Sequence, residues 1–220
     1  MISRKKVLVI GGHGRVALRA LPLLVRAGHD VTALIRRPEY ETDIRAAGAT
    51  PVGAEMLSFD EQAWDHLIAG HDVVVWAAGN GGREGYDQTY AIDRDAAIAS
   101  INAASRQDPA PRYVMVSFAT SLARVYGPDE PLHHYAAAKR EADLHLQASG
   151  LDHVILGPGR LTDEDATTGL RRIDPAVEDA GATSRQLVAE VIAHVVGLES
   201  APEDRFVAFV DGDTPVAELR

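Results

Sequence analysis

The opening of the chain constrains it most. An apolar run, Val7-Leu8-Val9-Ile10, ends directly in Gly11-Gly12-His13-Gly14. A stretch with Val16, Leu18, Leu21, Leu24 and Val25 on one helical face follows at once. Strand, glycine turn and helix in that order form the first half of a βαβ unit. Gly11, Gly14 and Ala17 fall in a G-x-x-G-x-x-G/A spacing. The first glycine permits a tight turn, and the second lets backbone approach a pyrophosphate. The third position must be small so that helix and strand can pack. Free N–H groups and a partial positive charge at the helix N-terminus favour an anion there. No Gly-Lys-Ser/Thr follows, which excludes a Walker P-loop.

The same alternation continues. Apolar runs predict strands at 6–10, 31–35, 50–52, 73–76, 113–117, 153–156 and 205–210. Helices are predicted at 15–27, 38–47, 59–69, 86–105, 132–149 and 184–196. Pro22 inside the first helix predicts a kink or an irregular turn. Gly28, Gly48, Gly70 and Gly150 stand where helices end. Thr183 to Gln186 has capping-box spacing ahead of the last helix. The strands are continuous apolar runs, as expected when helices cover both faces of a parallel sheet. The predicted class is therefore α/β: a Rossmann-type, doubly wound, mostly parallel sheet in a single domain spanning 1–220, with ligands at the carboxyl ends of the strands. Two irregular stretches, 119–131 and 159–182, follow strands and are expected to be small substrate loops. A glycine-rich turn, Gly79-Asn80-Gly81-Gly82, follows the fourth strand.

Charge and composition narrow the function. The formal net charge is −10 over 220 residues, which disfavours binding to a nucleic-acid backbone. An anionic cofactor can still be held by backbone N–H groups and a few arginines. The absence of cysteine excludes disulfides, thiolate zinc sites and cysteine nucleophiles. The basic start is followed by too short an apolar run for a signal peptide, and no stretch suits a membrane span. A cytoplasmic location is expected.

The end of the second strand bears on the cofactor. An NAD site places Asp or Glu there for the ribose 2′-hydroxyl. This chain has Ile35-Arg36-Arg37, and arginine suits a 2′-phosphate. Arg15, in the glycine loop, is placed to join it. NADP is expected over NAD.

Five segments then bear on family: Val7 to Val16, Asp72 to Gly79, Val114 to Ser117, Tyr135-Ala-Ala-Ala-Lys139 and Gly157-Pro-Gly-Arg-Leu161. In this order they resemble the short-chain dehydrogenase/reductase superfamily, and most of all its compact atypical branch, NAD(P)-binding and NAD-dependent epimerase/dehydratase-like. The resemblance covers nearly the whole chain. Its Tyr-x-x-x-Lys pair matches Tyr135 and Lys139, and its strand-end serine matches Ser117. Independently of the family, residues four apart share one helix face, and an ammonium beside a phenol lowers its pKa from about 10. Such a tyrosine can exchange a proton with a substrate oxygen while nicotinamide exchanges hydride. The resemblance implies that Ser117 holds the substrate oxygen and that Lys139, with Tyr135, also meets the cofactor. It further implies cofactor contacts from Gly11, His13, Gly14, Arg15 and Val16, from Met56-Leu57, from Ala77-Ala78-Gly79, and from Pro158, Gly159 and Leu161. Many relatives carry Asp before the leucine where this chain has Met56, and Arg where it has Gly157.

Other residues point less far. His133 and His134 adjoin Tyr135, but adjacent helix residues do not face one ion, so no metal site is expected. Trp64 and Trp76 read as core. Asp163-Glu164-Asp165 reads as a solvated acidic loop. The expected function is an NADP-dependent oxidoreductase acting on a small carbonyl or alcohol. The alternatives are a non-catalytic NADP-binding redox sensor, a flavin- or tetrapyrrole-type reductase, and an epimerase/dehydratase. About 60 residues follow the Pro-Gly motif, few for a nucleotide-sugar domain. The superfamily's long helices allow either a monomer or a homodimer.

Overall fold

A computed structural model of the protein describes residues 3–81, 85–165, 168–176 and 180–220. Gly82 of the glycine-rich turn, Met1, and parts of the 159–182 stretch therefore lie outside the described residues.

β1 (Lys6–Ile10) is buried from its second residue on, because it runs through the middle of the sheet. It pairs in parallel with β2 (Asp30–Ile35) on one side and β4 (Val73–Trp76) on the other. With β3 (Thr50–Gly53), β5 (Arg112–Val116), β6 (His153–Pro158), β8 (Gly169–Arg172) and β10 (Phe206–Gly212), the sheet has eight strands in the order β3-β2-β1-β4-β5-β6-β10-β8. Among the strand pairings of the described residues in this sheet, only β10–β8 is antiparallel. The chain winds outward from β1 to β3, then restarts at β4 on the other side. That reversal opens a crevice at the carboxyl ends of β1 and β4.

Alternation along the strands assigns the faces. Val7 and Val9 pack on α1 (Ala17–Arg26), α2 (Glu41–Ala46) and α7 (Arg185–Gly197). Leu8 and Ile10 point the other way, onto α3 (Glu61–Ile68), α5 (Ala97–Ser105) and α6 (His133–Ala148). Trp64 and Trp76 lie in this second core, as their size suggests. The single-domain, mostly parallel Rossmann architecture is therefore as expected.

Four local expectations change. α1 runs unbroken through Pro22, because its flanking Leu21 and Leu24 are fully buried and hold the helix against the sheet. The 159–182 stretch is less irregular than its composition suggests. It contains β7 (Arg160–Thr162), β8 and the first residue of β9 (Ala182–Ser184), and β7 and β9 pair in parallel as a second small sheet. The predicted helix over 86–105 begins as α4 (Tyr86–Thr89), widens to π winding over Tyr90–Ala96 and resumes as α5. Finally, α7 is capped one residue later than the capping-box spacing suggests. The Ser184 hydroxyl accepts the Leu187 N–H at 3.1 Å and donates to Asp211 at 3.0 Å. Thr183 serves the sheet instead, accepting the Gly159 N–H and donating to the Phe209 carbonyl.

Ser184→Ala should therefore destabilise the protein by about 1–2 kcal/mol in urea unfolding. Gln186→Ala, which removes only a bond to Glu190, should stay within about 0.5 kcal/mol of the parent. The reverse ranking would return the cap to the Thr183–Gln186 pair.

Candidate cofactor-binding and active site

Gly11 closes the turn after β1 with φ +84°. A Cβ there would stand 2.6 Å from the Ala78 Cα, so a side chain would force the ends of β1 and β4 apart. The turn opens into a cleft lined by Gly11, His13 and Gly14, by Ile35, Arg36 and Tyr40 beyond β2, by Ala54 to Leu57, and by Ala77 to Asn80 beyond β4. Of the residues predicted from sequence, Gly11, His13, Gly14, Arg36, Met56, Leu57, Ala77, Ala78 and Gly79 thus share one cleft.

The others lie off its wall. Val16 is core. Arg37 is 3.8 Å from Glu39 and lies over the Tyr40 ring. Pro158 is buried at the end of β6, and the Gly159 N–H bonds to Phe209 and Thr183. Leu161 packs on the first core. Arg15 is paired with Asp163 at 2.7 Å, away from the corner it was expected to share with Arg36. Asp163 is accordingly no merely solvated acid.

Two features of the cleft escaped sequence reasoning. The His13 ring stacks flat on Tyr40, centroids 3.6 Å apart, with Nε2 2.9 Å from Asp43. Glu55 puts a carboxylate on the wall, and it accepts the Leu57 N–H at 3.3 Å. Arg36 makes no ion pair among the described residues and faces the cleft.

Beside this cleft lies a buried polar cluster. The Lys139 ammonium, only 2% exposed, donates to the Val116 carbonyl at 2.8 Å and lies 3.9 Å from Asp93. Asp93 sits on the π-wound segment, pressed under the glycine turn. Its Oδ1 occupies the space a Cβ on residue 79 would need, and its Oδ2 accepts the Asn80 N–H at 3.3 Å. Asp143, one turn after Lys139 on α6, is fully buried and accepts the Ser117 hydroxyl. Burial pushes both carboxyl groups up, and Lys139 offsets part of that shift.

Tyr135 joins this cluster from α6, with its ring 5.5 Å from Phe118. Its hydroxyl makes no hydrogen bond to a described residue. Burial pushes the phenol up, and the carboxylates of Asp93 and Asp143 push it the same way. This corrects the expectation that Lys139 draws the phenol down. The ammonium is engaged by Val116 and Asp93, and burial first, then two acids, set the shift at the ring. Tyr135 therefore stays protonated throughout the neutral range. Asp93 and Asp143 were both missed. Asp143 carried a readable signal, four residues beyond Lys139 on one helix face; Asp93 carried none, since its placement depends on π winding. His133 and His134 turn to other partners, the Tyr126 carbonyl and the Tyr86 and Tyr90 rings.

A family model described as NAD(P)H-binding matches residues 11–198. The chain belongs to this NAD(P)H-binding family. It is 33% identical to the uncharacterized sugar epimerase YhfK of Bacillus subtilis (strain 168), over 97% of each chain. It is 34% identical to a Bacillus halodurans protein of known structure, whose name assigns it provisionally to the NAD-dependent epimerase/dehydratases; the TM-score is 0.86, over 97% of each chain. A wide-type short-chain dehydrogenase/reductase from Veillonella parvula, solved with NADP, shares the fold at TM-score 0.73 and 17% identity, over 97% of this chain and 99% of that one. A nicotinamide dinucleotide is therefore the cofactor class of this NAD(P)H-binding protein.

In this family member the raised acids have a consequence for stability. A carboxyl whose folded pKa lies above its unfolded value of about 4 takes up a proton on folding, so stability falls as pH rises through that interval. Asp143→Asn removes the titration while keeping the shape. At pH 7.5 the variant should melt no lower than the parent, and the parent should gain on it as pH falls towards 4.5. A melting point several degrees lower at pH 7.5 would instead make ionised Asp143 a required counter-ion of Lys139.

Proposed function

We propose that the chain is an NADP-dependent oxidoreductase that reduces a small carbonyl compound. The observation that carries this reading is Asp93, whose two oxygens connect the glycine-lined cleft to Lys139. The cleft suits a dinucleotide. Gly11 lets the ends of β1 and β4 close tightly against each other at the cleft, and α1 begins three residues after Gly14. In this reading Gly11, His13, Gly14, Ala77, Ala78 and Gly79 hold the diphosphate and adenosine, with Met56 and Leu57 beside the base. Arg36, unpaired among the described residues, takes the 2′-phosphate. Arg37 has a weaker claim, being shared with Glu39 and Tyr40.

The nicotinamide supplies hydride; the chain supplies a proton and a hydrogen bond. Tyr135 holds the proton on its phenolic oxygen, and its upward shift keeps the proton there at neutral pH until a substrate oxygen takes it. Ser117 points its proton at Asp143. Protonated Asp143 would reverse that bond and free the serine hydroxyl for a substrate oxygen. Asp93 acts as a positioning residue for Lys139. The names of the Bacillus relatives favour a second reading, epimerase or dehydratase chemistry. Among the described residues no helix is long and apolar enough to cross a membrane.

Two measurements test this reading. Calorimetry should find NADPH bound at least about tenfold tighter than NADH, a gap that Arg36→Ala closes. Equal or tighter NADH binding by the parent rejects the 2′-phosphate assignment. In a screen of carbonyl compounds, quinones and flavins, Tyr135→Phe should bind NADPH like the parent and lose about 100-fold or more in turnover. Full turnover in the variant would remove the proton-donor role and favour a flavin-type reductase.

A further inference from the structure

Asp163 is surrounded by three arginines drawn from separate parts of the fold. Arg15 of the glycine loop lies 2.7 Å from it, Arg185 at the start of α7 lies 3.1 Å away, and Arg19 of α1 lies 3.3 Å away. Arg19 also donates to the Arg15 carbonyl at 2.8 Å, which fixes the two together. Three cations meet one carboxylate, leaving a surplus of two positive charges. The surplus is not fully relieved by water, because Arg185 is buried. Burial first, and then repulsion from Arg15, pushes its guanidinium down. Two helices of 10 and 13 residues, α1 and α7, both begin here and add the partial positive charge of their N-termini. None of the four side chains is on the wall of the dinucleotide cleft.

We propose that Arg15, Arg19 and Arg185 form a second anion site, built for a phosphate group and closed in this structure by Asp163. A phosphate brings two charges and enough oxygens for several guanidinium forks, whereas an aspartate brings one charge and two oxygens. Asp163 is the displaceable partner. Its side chain is 48% exposed and follows the short strand β7, so it can leave without unpacking a core. The arginines come from the glycine loop, α1 and α7, elements that pack on one face of the sheet, so the pocket stays assembled when Asp163 leaves. The site adjoins the glycine loop on one side and the 159–182 stretch on the other. The phosphate therefore belongs to a phosphate-bearing ligand other than the dinucleotide.

Calorimetric titration of the full chain with inorganic pyrophosphate tests the site without any turnover. Asp163→Ala should bind pyrophosphate at least tenfold tighter than the parent, and adding Arg185→Gln should abolish the gain. Asp163→Asn, which keeps the shape and loses the charge, should show the same gain if the alanine variant folds poorly. No gain in either single variant, or a gain that survives Arg185→Gln, overturns the proposal and leaves Asp163 a structural staple. The titration is then repeated with NADPH at saturation. Survival of pyrophosphate binding supports a site separate from the dinucleotide, and its loss overturns that separation and the proposal with it. The pyrophosphate gain does not depend on which nicotinamide cofactor binds or on any activity, so it stands or falls apart from the proposed reaction.

Discussion

A buried ammonium sets the terms for the centre of this molecule. Lys139 has no access to water, and a charge in that position must be met by fixed dipoles or opposite charges. The chain answers from three directions: the Val116 carbonyl at the end of β5, Asp93 on the π-wound segment, and Asp143 one turn along α6. Each answer fixes geometry elsewhere. Asp93 can reach inward because the helix widens there, and once inside it takes the space under Gly79 and bonds the Asn80 N–H. Asp143 holds the Ser117 hydroxyl. A single buried cation therefore organises the floor of the cleft, the strand-end serine and the helix that carries Tyr135.

The same arrangement explains why a tyrosine four residues from a lysine is not thereby acidic. Spacing brings two side chains onto one helix face, but the shift depends on everything else facing the phenol. Here two carboxylates and burial act together against one shared ammonium. A more acidic Tyr135 would require the loss of a carboxylate, and with it the support for Lys139 or Ser117.

The fold was legible because its signals are local. Apolar runs mark strands, helical stripes mark which face is covered, and Gly28, Gly48 and Gly70 end helices with positive φ. The strand order follows from the βαβ winding rule. The glycine loop and its cleft were legible for the same reason, since Gly11 and Gly14 act through their own backbone. What escaped were contacts between residues distant in sequence. Asp93 and Lys139 are brought together by tertiary packing, and so are Asp163 and its arginines. Asp163 read as a solvated acid because its neighbours in the chain, Glu164 and Asp165, are acidic, whereas its neighbours in space are cations. The cap of α7 was displaced by one residue because Thr183 had a sheet to bond as well as a helix to start.

The two charge clusters are built in opposite senses around one glycine loop. Two carboxyl groups share one lysine on the side of β5 and α6, and burial pushes both towards the protonated form. Three arginines share one carboxylate where α1 and α7 begin, leaving an excess of positive charge. A chain with a formal net charge of −10 thus keeps a concentrated positive site beside its glycine turn. Surface charges are screened over about 8–10 Å of salt solution, while buried groups keep their field at short range. Local charge balance therefore sets the character of each side of the loop: two acids around one cation by Lys139, three cations around one acid by Arg185. The net charge, spread over the outer surface, decides neither.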